Sequence, residues 1–109
     1  MPKGIDQVVE AARVCREAAA ALKASGHAES GARAEGLAEQ LEALKGKFFL
    51  RMGPAVRYTA ACLDAARAVE AAVAAGEPAE ALAAKLDALA AATTTLDERA
   101  NAAGNMTIT

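Results

Sequence analysis

Apolar residues recur along this chain in steps of three and four, the spacing that lines one face of an α-helix. Ile5, Val8, Ala12, Cys15, Ala19 and Leu22 form an unbroken seam of this kind. A second stripe runs through Leu37, Leu41, Leu44, Phe48 and Met52, and a third through Thr59, Cys62, Ala66, Val69 and Val73. The fourth contains Leu82, Leu86, Leu89, Thr93, Leu96, Ala100 and Ala103. Punctuation falls between the stripes, at Ser25-Gly26-His27, at Gly53-Pro54 and at Gly76-Glu77-Pro78.

The pattern predicts four helices. Pro54 and Pro78 open the third and fourth, where a missing N–H does no harm, and Gly104 closes the last. Gly31, Gly36 and Gly46 each cost about 1 kcal/mol relative to Ala inside a helix, so the second helix is expected to start irregularly. Connections this short make neighbouring helices antiparallel. The expected fold is therefore an all-α, antiparallel (up-down-up-down) four-helix bundle over residues 1–104, with the first and third helices parallel and residues 105–109 as a loose tail. A three-helix bundle is the alternative if residues 26–36 form a loop.

Composition agrees with helix. About a third of the 109 residues are alanine, tryptophan is absent, and only Phe48, Phe49 and Tyr58 are aromatic. So many small side chains bury little apolar area in a chain of this length, and self-association is a natural remedy. The N-terminus lacks the apolar stretch of a secretory signal and no run is long enough to span a membrane, which favours a cytoplasmic protein. Cys15 and Cys62 both fall on seams and read as small buried apolar residues rather than a disulfide framework.

Catalytic chemistry is poorly supplied. The single histidine, His27, sits at a predicted turn and reads as a surface or capping residue; no ExxH pair, HExxH helix or phosphate-binding glycine loop occurs, so neither metal nor cofactor is expected. Carboxylate pairs such as Glu77/Glu80 and Asp97/Glu98 read as solvated helix faces. Thr93 places a hydroxyl on the fourth seam, where a bond back to the preceding turn is the simple account and a polar contact inside the bundle the sharper one.

Charge breaks the uniformity at one place. No acidic residue occurs between Glu42 and Asp64, whereas Lys45, Lys47, Arg51 and Arg57 fall there with all three aromatics. If the second helix continues to Met52, Phe48 points inward, Phe49 lies about 100° round from it and Leu50 nearly opposite, making Phe49 and Leu50 candidates for a subunit contact. If the helix ends sooner, they fold into the turn before Gly53. The basic residues have three possible counterparts: the acidic fourth helix or another subunit, a protein partner, or nucleic acid, with Phe49 or Tyr58 stacking on a base.

A pI near 5.4 and only four basic residues argue against nucleic acid. The reading favoured by the sequence is a non-catalytic interaction or assembly protein, self-associating or binding a partner helix through Lys45, Lys47, Phe49, Leu50, Arg51, Arg57 and Tyr58. A small subunit of a nucleoprotein complex is the second reading, and a bundle with a small-molecule cavity lined by Ala and Thr the third.

Overall fold

A computed structural model describes residues 4–107. Four α-helices, α1 (Gly4–Ala24), α2 (Ala28–Leu44), α3 (Val56–Ala74) and α4 (Ala79–Thr107), account for nearly all of them, and no strand occurs among the described residues. Two short 3-10 turns, Phe48–Arg51 and Gly53–Ala55, lie between α2 and α3. The chain is thus an up-down-up-down four-helix bundle. Residues 28–36 are helical, which removes the three-helix alternative.

The helices form two hairpins set side by side. Arg16 pairs with Glu42 and Lys23 with Glu35, so α1 and α2 run antiparallel. Arg99 lies over Tyr58 and Thr93 meets Cys62, so α3 and α4 do the same. Across the hairpins, Thr59 bonds Gln7 while Arg67 approaches Glu10, which places α1 beside and parallel to α3. Arg33 pairs with Asp87 at 2.6 Å, and α2 likewise runs parallel beside α4. Hence α2 and α3, consecutive in sequence, occupy diagonal corners, and the chain between them must cross the end of the bundle.

Both hairpin turns have the same construction. The His27 N–H bonds the Leu22 carbonyl at 2.8 Å and the Gly26 N–H that of Lys23. In the second, Glu77 bonds Ala72 at 3.1 Å and Gly76 bonds Val73. Such a closing pair requires a left-handed residue between its two bonds, and Gly26 (φ 88°) and Gly76 (φ 69°) supply it at no steric cost. His27 occupies the residue before α2, but its side chain makes no capping bond; its carbonyl accepts from the Gly31 N–H instead.

The core follows the predicted seams except at Phe48 and Met52, which face out. Leu22, Leu41, Leu82, Leu86, Leu89 and Leu96 are fully buried, each contributing about 2 kcal/mol relative to exposure. Between them lie Val8, Val14, Val69 and a series of buried alanines that let α1 approach α2 and α3 closely. Gly31 belongs to this close approach, since a Cβ there would meet the Ala19 carbonyl at 3.0 Å. Thr93 sits on the core side and returns its hydroxyl proton to Leu89 O at 2.8 Å, the simple account of that residue. Cys15 and Cys62 are free and buried; burial pushes Cys15 up to about 12, with the neighbouring Cys62 adding to it, and Cys62 to about 11 against an opposing hydrogen bond with Thr93.

Three boundaries differ from the sequence pattern. Helix α2 ends at Leu44 rather than Met52, Pro54 lies in the second 3-10 turn rather than opening α3, and α4 continues past Gly104 through Thr107. Of the expected loose tail, residues 108–109 lie outside the described residues. No helix is long and apolar enough to cross a membrane among those described.

Candidate interaction surface

The crossover from α2 to α3 caps one end of the bundle, and its shape follows from a choice among three consecutive apolar residues. An α2 extended to Met52 would bury Phe48 and leave Phe49 and Leu50 outside. Ending it at Leu44, with Gly46 immediately beyond, allows the chain to lay both Phe49 and Leu50 on the open end of the core. That exchanges one large buried side chain for two, each worth about 2 kcal/mol.

Lys47 (ψ 137°) and Met52 (ψ 144°) take up extended backbone on either side of the first 3-10 turn. Short-range bonds hold it, with Leu50 N–H donating to Lys47 O at 3.2 Å, Met52 N–H to Phe49 O at 3.0 Å and Ala55 N–H to Met52 O at 3.1 Å. The N-terminus of α1 closes on the same turn. A Cβ on Gly4 would stand 2.8 Å from the Leu50 carbonyl, so that position tolerates no side chain without a backbone shift.

Because α2 stops at Leu44, the second of the two expected arrangements holds: Phe49 and Leu50 fold into the turn before Gly53, and Phe48 faces out. Phe49 is 7% exposed and Leu50 1%, whereas Phe48 is 60% exposed and Met52 also faces out. Phe49 and Leu50 are therefore core residues, not a contact surface of the folded chain. Phe49 packs on Tyr58 with ring centroids 6.1 Å apart. The Tyr58 ring is flanked by two guanidinium groups, Arg57 at 4.9 Å and Arg99 at 5.5 Å, and Arg57 also donates to the Tyr58 hydroxyl at 2.9 Å. Of the two rings expected to stack on bases, Phe49 is buried and Tyr58 is half-buried between guanidinium groups; the exposed ring is that of Phe48.

Lys45, Lys47, Arg51 and Arg57 all remain on the surface. Among the described residues none of them makes an ion pair, which overturns the expectation that they meet the acidic fourth helix across the bundle. Helix α2 does pair with α4, but through Arg33 and Asp87. Lys45 is close enough to help hold the Glu42 carboxyl below its ordinary range, behind the larger effect of the Arg16 hydrogen bond. Arg99 joins the group from α4. The cap therefore carries five cations together with exposed Phe48, Met52 and Val56.

Sequence reasoning missed Phe48, Met52, Val56 and Arg99 as surface residues. Phe48 and Met52 are spaced by four, which in a helix marks one face, and that face was assigned inward. The signal was present and the direction was wrong, because the backbone there is not α-helical. Val56 and Arg99 were on no predicted stripe.

Two open grooves flank the cap. One, between α2 and α4, is lined by Gln40, Ala43, Leu44, Lys47, Thr93, Thr94 and Asp97 and holds about 360 Å³; Lys47 and Asp97 stand on it without pairing. The other, between α1 and α3, is lined by Asp6, Gln7, Glu10, Ala60, Leu63, Asp64 and Arg67. Among the described residues no group of three His, Cys, Asp or Glu is placed to hold a metal ion. Comparisons with protein-family models, with curated proteins and with solved structures find no match to this chain.

Proposed function

We propose that the protein is a non-catalytic interaction module, an adaptor or assembly subunit, that engages an acidic protein surface through the crossover cap. The observation that carries this reading is the coincidence of exposed Phe48, Met52 and Val56 with cations that form no ion pair among the described residues. Burying the apolar group supplies affinity, and the unpaired cations set orientation and select an acidic counterpart. With four of the twelve basic residues in the stretch 45–57 and none of the fourteen acidic ones, the rest of the chain holds eight basic against fourteen acidic residues. That balance favours a compact protein counterpart over a nucleic-acid strand, whose phosphates would meet Asp97 and Glu98 as soon as they left the cap. A cytoplasmic setting suits the two buried free thiols.

Amine cross-linking in an extract of the source cells tests the reading. Lys45 and Lys47 are expected to give inter-protein cross-links that disappear in a Phe48→Ser, Met52→Ser variant, whereas Lys85 on α4 serves as an internal reference. Cross-links distributed equally over all lysines, or unchanged in the variant, would contradict it.

A further inference from the structure

All the exposed large apolar side chains among the described residues, Val9, Phe48, Met52 and Val56, lie at the cap end of the bundle; none lies near the hairpin turns. The cap also adjoins a groove whose lining carries three carboxylates against one guanidinium. On α3 the positions Val56, Ala60, Leu63 and Arg67 follow one another at spacings of four, three and four, a single helical stripe. Val56 belongs to the cap, and the other three line the groove between α1 and α3, together with Asp6, Glu10 and Asp64. A convex, cationic, apolar cap thus adjoins a concave, carboxylate-rimmed groove with half-buried Leu63 in its lining.

We propose that the surface met by the cap is the α1–α3 groove of a second copy of this chain, in a two-fold dimer in which each cap enters its partner's groove. This rests on the interaction reading above and names its partner. Cap against cap would oppose ten cations, and a two-fold arrangement avoids this by reciprocity: the same patch supplies the knob and the hole, and the cations of one copy face the Asp64 side of the other's groove. Arg67, 4.0 Å from Glu10, and Arg13, bonded to it at 2.6 Å, temper the groove's charge, leaving Asp64 as the carboxylate for a partner's Lys47 or Arg51. Phe48 and Met52 are the side chains long enough to fill the groove, and their burial with Val56 covers three of the four large exposed apolar groups among the described residues.

Light scattering coupled to size exclusion, run on the full chain at low and high salt, provides the test. The wild type is expected at twice the 11.0 kDa of one chain, with the dimer weakened by salt. Lys47→Glu with Arg51→Glu reverses the cap, and Asp64→Lys reverses the groove; each variant alone is expected to run as one chain. Mixed in equal amounts they should recover a mass of two chains, because both reciprocal contacts are again complementary. All three positions are exposed, and circular dichroism of each variant checks that the helices persist. A wild type of one chain at every concentration, reversed variants that dimerise as the wild type does, or a mixture that stays at one chain would each overturn the proposal. If the wild type is a single chain and its cap still cross-links to another acidic protein or retains labelled oligodeoxythymidine, the dimer falls and a different partner stands in its place. If cap substitutions change nothing in either assay, the interaction reading falls as well.

Discussion

The two ends of this bundle solve the same problem, reversing or redirecting a helical chain, by different physics. At the turn end, each hairpin closes on one left-handed glycine and a pair of backbone hydrogen bonds, and among the described residues nothing large and apolar is left outside. At the cap end, the chain must join diagonal helices, so it crosses over the core in two 3-10 turns without a left-handed residue. Crossing exposes one side of the segment to water while the other seals the core. The turn end is determined by local backbone demands, whereas the cap is determined by the core beneath it, and its outer face is free to carry function.

The largest expected effect separates the two sides of the cap. Leu50→Ala should destabilise the fold by about 3 kcal/mol, as for a fully buried leucine, whereas Phe48→Ala should stay within about 0.5 kcal/mol. Denaturant midpoints of the two variants give the comparison directly. Equal losses would mean that Phe48 shares the core and that the two sides are not distinct.

Next in size are the turn glycines. Gly26→Ala and Gly76→Ala should each cost about 1–2 kcal/mol, because a Cβ is disfavoured at positive φ even where space is open. Gly53→Ala, in the crossover with open space and no such φ, should be nearly neutral in the same thermal melts. A fourth glycine reverses the sign. Gly36 lies on the exposed face of α2 with nothing near its missing Cβ, and Gly36→Ala should stabilise the protein by about 1 kcal/mol.

The smallest effect concerns the ion pairs that tie α1 to α2. The Lys23 hydrogen bond lowers the Glu35 carboxyl and that of Arg16 lowers Glu42 from an ordinary value of 4.5. Groups lowered on folding stabilise above the unfolded value and lose that contribution as pH falls through the folded one. Urea midpoints should therefore hold steady down to about pH 4.5 and then decline, with most of the decline from these exposed pairs removed by added salt. A midpoint that rose on acidification would contradict the sign.

Much of the fold was legible in sequence because its determinants are local. The seams through Val8, Cys15 and Leu22 and through Leu82, Leu89 and Leu96 repeat at helical spacing, and Gly26 and Gly76 mark their own turns. The exchange of neighbours was not legible: no residue in the crossover states that α2 and α3 stand on a diagonal, and that arrangement decides whether Phe48 or Phe49 turns inward. Of the candidate site, Lys45, Lys47, Arg51 and Arg57 were found from charge alone and remain on the surface. Phe49, Leu50 and Tyr58 were found from hydropathy, which records that a side chain seeks cover but not which side of the chain provides it. Arg99 reaches the site only through the antiparallel register of α3 and α4, information carried by neither helix separately.

Hydroxyl-radical footprinting read by mass spectrometry at residue level, on dilute protein, tests the central claim most directly. The account predicts rapid oxidation of Phe48 and Met52 with strong protection of Phe49 and Leu50, a contrast that vanishes on unfolding in urea. Protection of Phe48 with oxidation of Phe49 and Leu50 would show that α2 runs on to Met52, and would contradict the cap and everything inferred from its outer face.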